Sequence, residues 1–155
     1  MTRLGETHNI VHILESQDHN AGVDGDSFHA GRVHSFDILI SFGELSGNAV
    51  LKVFSGATAG TKTTAETFRH RVSDSELKTS TGDTYADWGT SSALTLTAAS
   101  YEDFLLQVSM DSDELTDGQP WVTVELGSEA SEIFCSMVAV ARPRFAANDP
   151  LTLID

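Results

Sequence analysis

Apolar residues recur at every second position over much of the chain. In VHSFDILISF, residues 33–42, Phe36, Ile38, Ile40 and Phe42 fall on one face of an extended segment. In DFLLQVSM, residues 103–110, Phe104, Leu106, Val108 and Met110 do the same, and PWVTVEL sets Val122, Val124 and Leu126 opposite Trp121, Thr123 and Glu125. NAVLKVFS, ETFRHRVS and SALTLTA read as shorter or more polar strands, and helical periodicity is nearly absent. Between them lie GELSGN, SGATAGTKT and STGDTYADWGTS, rich in the Gly, Ser, Thr and Asp that make turns.

This rhythm predicts an all-β fold, an antiparallel β-sandwich or jelly roll of about eight strands. A single domain spans residues 1–155. Residues 1–31 are expected to hold one strand near Val11 to Leu14 and then an extended N-terminal arm, because SQDHNAGVDGDSFHAG has few apolar residues to pack. A long polar central loop surrounding one short strand is expected from Gly56 to Thr90, and a C-terminal tail over residues 142–155.

One segment departs from simple alternation. EIFCSMVAVA, residues 132–141, is apolar on both faces, with Ile133, Cys135, Met137 and Ala139 on one side and Phe134, Val138 and Val140 on the other. Such a strand is either covered on both faces or lies at a subunit interface. Leu39, Leu105 and Trp121 also interrupt faces that solvent would make polar, so the sequence points to a homo-oligomer.

Composition narrows the partners. Nine Lys and Arg stand against 23 Asp and Glu, a formal charge of -14. That field repels phosphate backbones and anionic lipid surfaces, so neither nucleic acid nor membrane is an expected partner. No apolar run has the length of a membrane span or a signal peptide, which predicts synthesis in the cytoplasm without export. The single cysteine, Cys135, excludes an internal disulfide, and its place in an apolar strand reads as a small buried hydrophobe.

The chemistry-bearing candidates resolve into structural ones. MDSDELTDGQPW, residues 110–121, packs four carboxylates between Asp111 and Asp117, but a calcium loop starting at Asp111 would put Leu115 at the fifth position and bring Gly118 two residues late. The stretch instead reads as a capped helical turn through Glu114, with Leu115 anchoring the corner and Asp117-Gly118 making a tight turn before Pro120. His8, His12, His19, His29, His34 and His70 show no zinc-motif spacing, although His12 and His34 lie in strands that could meet. Neither a nucleophile elbow nor a phosphate loop is present. No enzyme activity, metal or cofactor is expected.

The two ends carry a resemblance. LLQVSMDSDELTDGQPWVTVELG, SMVAVARPRFAANDP and the closing LTLID, together with the early ILESQDHNAGVDGDSF, are similar to small virion proteins of tailed bacteriophages and prophages encoded beside the major capsid protein. The departure is Arg142-Pro143-Arg144, where one basic residue before an aromatic would be usual. The resemblance implies a structural virion protein, most plainly a head decoration or cement protein on the outer head surface. Its implied partners are the major capsid protein and further copies of itself, with a trimer suited to local threefold positions. Phe134, Val138, Val140, Arg142, Arg144 and Phe145 are the expected interface residues. A tail or head-tail connector subunit is the alternative within the virion. A carbohydrate-binding β-sandwich using Trp88, Trp121 or Tyr85 as a stacking platform is the alternative outside it.

Overall fold

The computed structural model describes residues 4–20, 22–128, 132–144 and 152–154. Its body is two packed antiparallel sheets. The first sheet comprises β1 (Asn9–Asn20), β12 (Glu132–Pro143), β4 (Val33–Leu45), β10 (Leu105–Asp111), β7 (Phe68–Val72) and β8 (Gly89–Ser91), in that spatial order. The second is built on a central pair, β11 (Trp121–Ser128) and β5 (Ala49–Gly56). Two short strands flank each side of that pair: β2 (Val23–Asp24) and β3 (Phe28–His29) along β11, β6 (Thr64–Glu66) and β9 (Leu94–Leu96) along β5. Single helical turns, α1 (Leu4–Thr7) and α2 (Ala98–Tyr101), complete the regular structure with two 3-10 turns (Ala30–Arg32 and Ser112–Glu114).

The alternation in the sequence is the alternation of the layers. Phe36, Ile38, Ile40 and Phe42 of β4, Leu106, Val108 and Met110 of β10, and Ile133, Cys135, Met137 and Ala139 of β12 are all buried. They meet Leu51, Val53, Val122, Val124 and Leu126 from the facing sheet. Burial raises the Cys135 thiol to about 12, which keeps it protonated and unreactive at neutral pH.

Three segments differ from what their composition predicts. The first strand continues past Leu14 to Asn20, because Gln17 to Asn20 pair in register with Cys135 to Glu132 through main-chain groups that need no apolar side chain. Register shifts on either side of Leu14 place Ile13 and Leu14 both in the core, and the free carbonyl of Ile13 accepts the Asp26 amide at 2.7 Å. The extended arm therefore lies on the body, with Phe28 fully buried. ETFRHRVS, expected as one strand, divides at Thr67, so that β6 joins one sheet and β7 the other. Of the expected tail, Arg142 and Pro143 belong to β12, and Leu153 is buried in the core with its carbonyl accepting the His29 amide at 2.8 Å.

Candidate interaction face

The inner face of the first sheet fills the core, so its outer face is where the surplus apolar residues emerge. β12 lies between β1 and β4, in register at Ile10–Val140–Asp37 and at His12–Val138–Leu39. Alternation places all six of these side chains outward. Ile10 is 56% exposed, whereas Val138, Val140 and Leu39 are half-buried by their neighbours. A continuous apolar stripe therefore crosses the β1–β12–β4 half of the sheet. Farther along β12, Phe134 is 43% exposed and lies against Gly43, where a Cβ would come within 3.0 Å of its ring. Asp18, Glu44 and Glu132 surround it.

The expected interface residues thus form a line rather than a point. Phe134 and Arg142, eight residues apart in one strand, are about 27 Å from each other at the usual rise per residue. Arg142 is exposed at the end of this line, beside Ser35. Arg144 is engaged elsewhere: its Nε donates to the Val33 carbonyl at 2.9 Å and its Nη2 to Ser112 Oγ at 3.0 Å. Phe145 lies outside the described residues.

The same face continues into a polar, aromatic half. Arg69 and Arg71 of β7 point outward with Ser109 and Gln107 of β10. Arg69 pairs with Asp111 at 3.1 Å and Glu114 at 3.2 Å, and its hydrogen bond to Asp111 contributes most to raising its pKa. Arg71 takes a different environment: its guanidinium carbon lies 4.5 Å from the ring centroids of both Tyr85 and Trp88. Its Nε donates to Gln107 Oε1 at 2.8 Å, and Gln107 Nε2 donates to Asp37 Oδ1 at 3.1 Å. The sequence signal for this cluster is the period-two arginine pair in ETFRHRVS, which composition alone does not connect to residues 85 and 88. Of the aromatic residues considered as a platform, Trp88 is 47% exposed and Trp121 is half-buried, edge-on to His29 at 5.0 Å.

The acidic stretch is a structural corner. Asp111 precedes the 3-10 turn Ser112–Glu114, the Glu114 carboxylate accepts the Asp111 amide at 2.8 Å, and Leu115 packs against the core. The Gln119 amide then bonds to the Thr116 carbonyl at 3.0 Å across Asp117-Gly118, with Gly118 at φ +75 as the turn requires. Buried Glu66 fastens this corner to the sandwich: its Oε1 accepts the Thr116 amide at 2.9 Å and the Ser55 hydroxyl.

The opposite outer face is partly occupied by the chain itself. Thr123 is buried, its hydroxyl 2.7 Å from Ser27 Oγ, which also accepts the Gly60 amide at 2.8 Å. Lys62 bridges Asp24 at 2.8 Å and Glu125 at 2.6 Å, and these partners raise its pKa.

His12 and His34 do not meet, because β12 separates β1 from β4. Among the described residues no three His, Cys, Asp or Glu side chains gather as a metal site, and no helix is long and apolar enough to cross a membrane. No protein-family model matches the chain, and no curated protein is similar to it.

Proposed function

We propose that the chain is a structural virion protein of a tailed bacteriophage, a decoration or cement protein that docks on the outer head surface through the outer face of the β1–β12–β4 half of its first sheet. The observation that carries this reading is the apolar stripe of Ile10, Val140, Val138 and Leu39 on the outer face of an otherwise core-forming sheet. A face of that kind fits burial against a protein surface. The resemblance at both ends of the sequence supplies the virion context.

The action is mechanical. A protein that binds the assembled lattice and not its dissociated subunits stabilises the shell by mass action, by about 2.7 kcal/mol per site at a free concentration one hundred times Kd. The major capsid protein is the partner, and copies of this chain meeting at local threefold positions form trimers. Outside the head, where packed DNA does not face the protein, a charge of -14 meets least repulsion.

The test is co-sedimentation with shells lacking the protein. Wild type is expected to bind saturably, and Val138→Asp, which sets a carboxylate in the stripe, is expected to bind at least tenfold more weakly while retaining its fold. Equal binding of the two would overturn the proposed face. An isolated ring that attaches only to tails would favour the connector alternative over the head.

A further inference from the structure

We propose that Arg71, Trp88 and Tyr85 form a binding site for a carboxylate-bearing saccharide, separate from the apolar stripe on the same sheet. In a chain so short of cations, the described basic groups with side-chain or carbonyl partners are mostly committed: Lys62, Arg69 and Lys78 to carboxylates, Arg32 and Arg144 to carbonyl oxygens. Arg71 has no carboxylate partner among the described residues. Its hydrogen bond runs from Nε to Gln107, which leaves the paired Nη groups as donors. That fork matches the two oxygens of a carboxylate.

The fork is held in place before any ligand arrives. Arg71 and Gln107 are register partners of β7 and β10, and Gln107 is itself tied to Asp37 on β4. The two rings are fixed by backbone: Tyr85 bridges to Ser73, the Ala86 amide donates to the Val72 carbonyl at 3.0 Å, and Gly89, following Trp88, pairs with His70. Immobilising a guanidinium against aromatic walls in advance removes the ordering cost of binding.

The surroundings favour a sugar over an acidic peptide. Trp88 presents a partly exposed indole, a flat apolar surface suited to the C–H face of a pyranose. Ser109 and Thr90, on the Arg69 row, add hydroxyls able to meet a ligand rich in hydroxyls. A polyacidic peptide would use the fork alone and would approach against the field of a chain at -14, whereas one carboxylate on a sugar meets far less of it.

The intact protein, in a Trp121→Phe background so that Trp88 is the remaining indole, would be titrated with three probes. These are an oligosaccharide ending in glucuronate, its glucose-ending counterpart, and a tetraglutamate peptide, followed by calorimetry and indole fluorescence. The glucuronate probe is expected to bind and to perturb the Trp88 emission, with the other two weaker by about tenfold or more. Arg71→Lys, which keeps the charge and loses the fork, and Trp88→Ala are each expected to weaken glucuronate binding by about tenfold or more, with melting transitions like wild type. Absence of glucuronate binding at millimolar concentration, equal binding of the glucose probe, or an unaffected Arg71→Lys would overturn the site. Preference for tetraglutamate would overturn the saccharide assignment in favour of a protein carboxylate. Shell binding by the Arg71→Lys protein, measured separately, keeps this outcome distinct from that of the docking face.

Discussion

Gly56 closes β5 where the central loop turns back, and a Cβ there would sit 2.1 Å from Thr61 Oγ1 and 2.2 Å from the Thr61 carbonyl oxygen. Because a backbone atom blocks the space, Gly56→Ala is expected to destabilise the fold by about 3 kcal/mol, readable by urea denaturation. Ile40, fully buried beneath the centre of β4, should lose a comparable amount on truncation to alanine, about 2–5 kcal/mol. Two histidines set a pH response. Burial lowers the pKa of His29, assisted by Arg32, and burial lowers that of His70. The unfolded chain therefore binds more protons at these sites than the folded one, so their contribution to stability is present above the ordinary histidine range near 6.5 and falls as pH drops through it toward the lowered native values. Replacing both with Gln is expected to flatten the dependence of stability on pH between about 7.5 and 5.5, relative to wild type. An unchanged slope would contradict the burial argument. At this scale the sequence was most legible where the side chain itself carries the signal: the alternating Phe36, Ile38, Ile40 and Phe42, and the glycine of Asp117-Gly118. It was least legible at Arg71, whose partners come from β10 and from the loop before β8.

Among the elements, the acidic corner answers a question that carboxylate count alone poses. Asp111 and Glu114 cap a turn and meet Arg69, and Glu66 holds Thr116 from beneath, so those carboxylates serve local structure. Glu66→Ala would leave the Thr116 amide and Ser55 hydroxyl without this acceptor, at about 1–3 kcal/mol, and hydrogen exchange across residues 112–119 is expected to quicken more than in β4. Uniform acceleration in both segments would mean that the corner is not held as a local unit. The segments misjudged from composition share one physical cause. Residues 17–20 form strand through main-chain pairing to β12, and the division at Thr67 is fixed by which sheet each half can reach. Neither is written in the polarity of its own side chains. Leu153 is similar: it becomes core while its neighbour Ile154 stays exposed, because β3 offers the Leu153 carbonyl the His29 amide.

For the whole molecule, the two sheets differ in what they do with their outer faces. One is partly covered by Ser27, Gly60 and Lys62, while the other brings apolar side chains of β1, β12 and β4 to the surface. The apolar character of both faces of residues 132–141 can be read from the sequence and points to a homo-oligomer, whereas the shell as a partner comes from the resemblance. Which residues complete the stripe could not be read, because Ile10 and Leu39 join Val138 and Val140 only through the register of three strands. If this stripe is the contact surface, titrating Val138→Asp protein into shells should raise their melting transition less than wild type does at the same concentration, the wild-type rise following occupancy. Cryo-electron microscopy of intact particles reads location and orientation together. A two-layer β density of this size is expected on the outer head surface, with the β1–β12–β4 face turned toward the shell; density confined to the tail, or on the head with that face turned to solvent, would contradict the docking proposal.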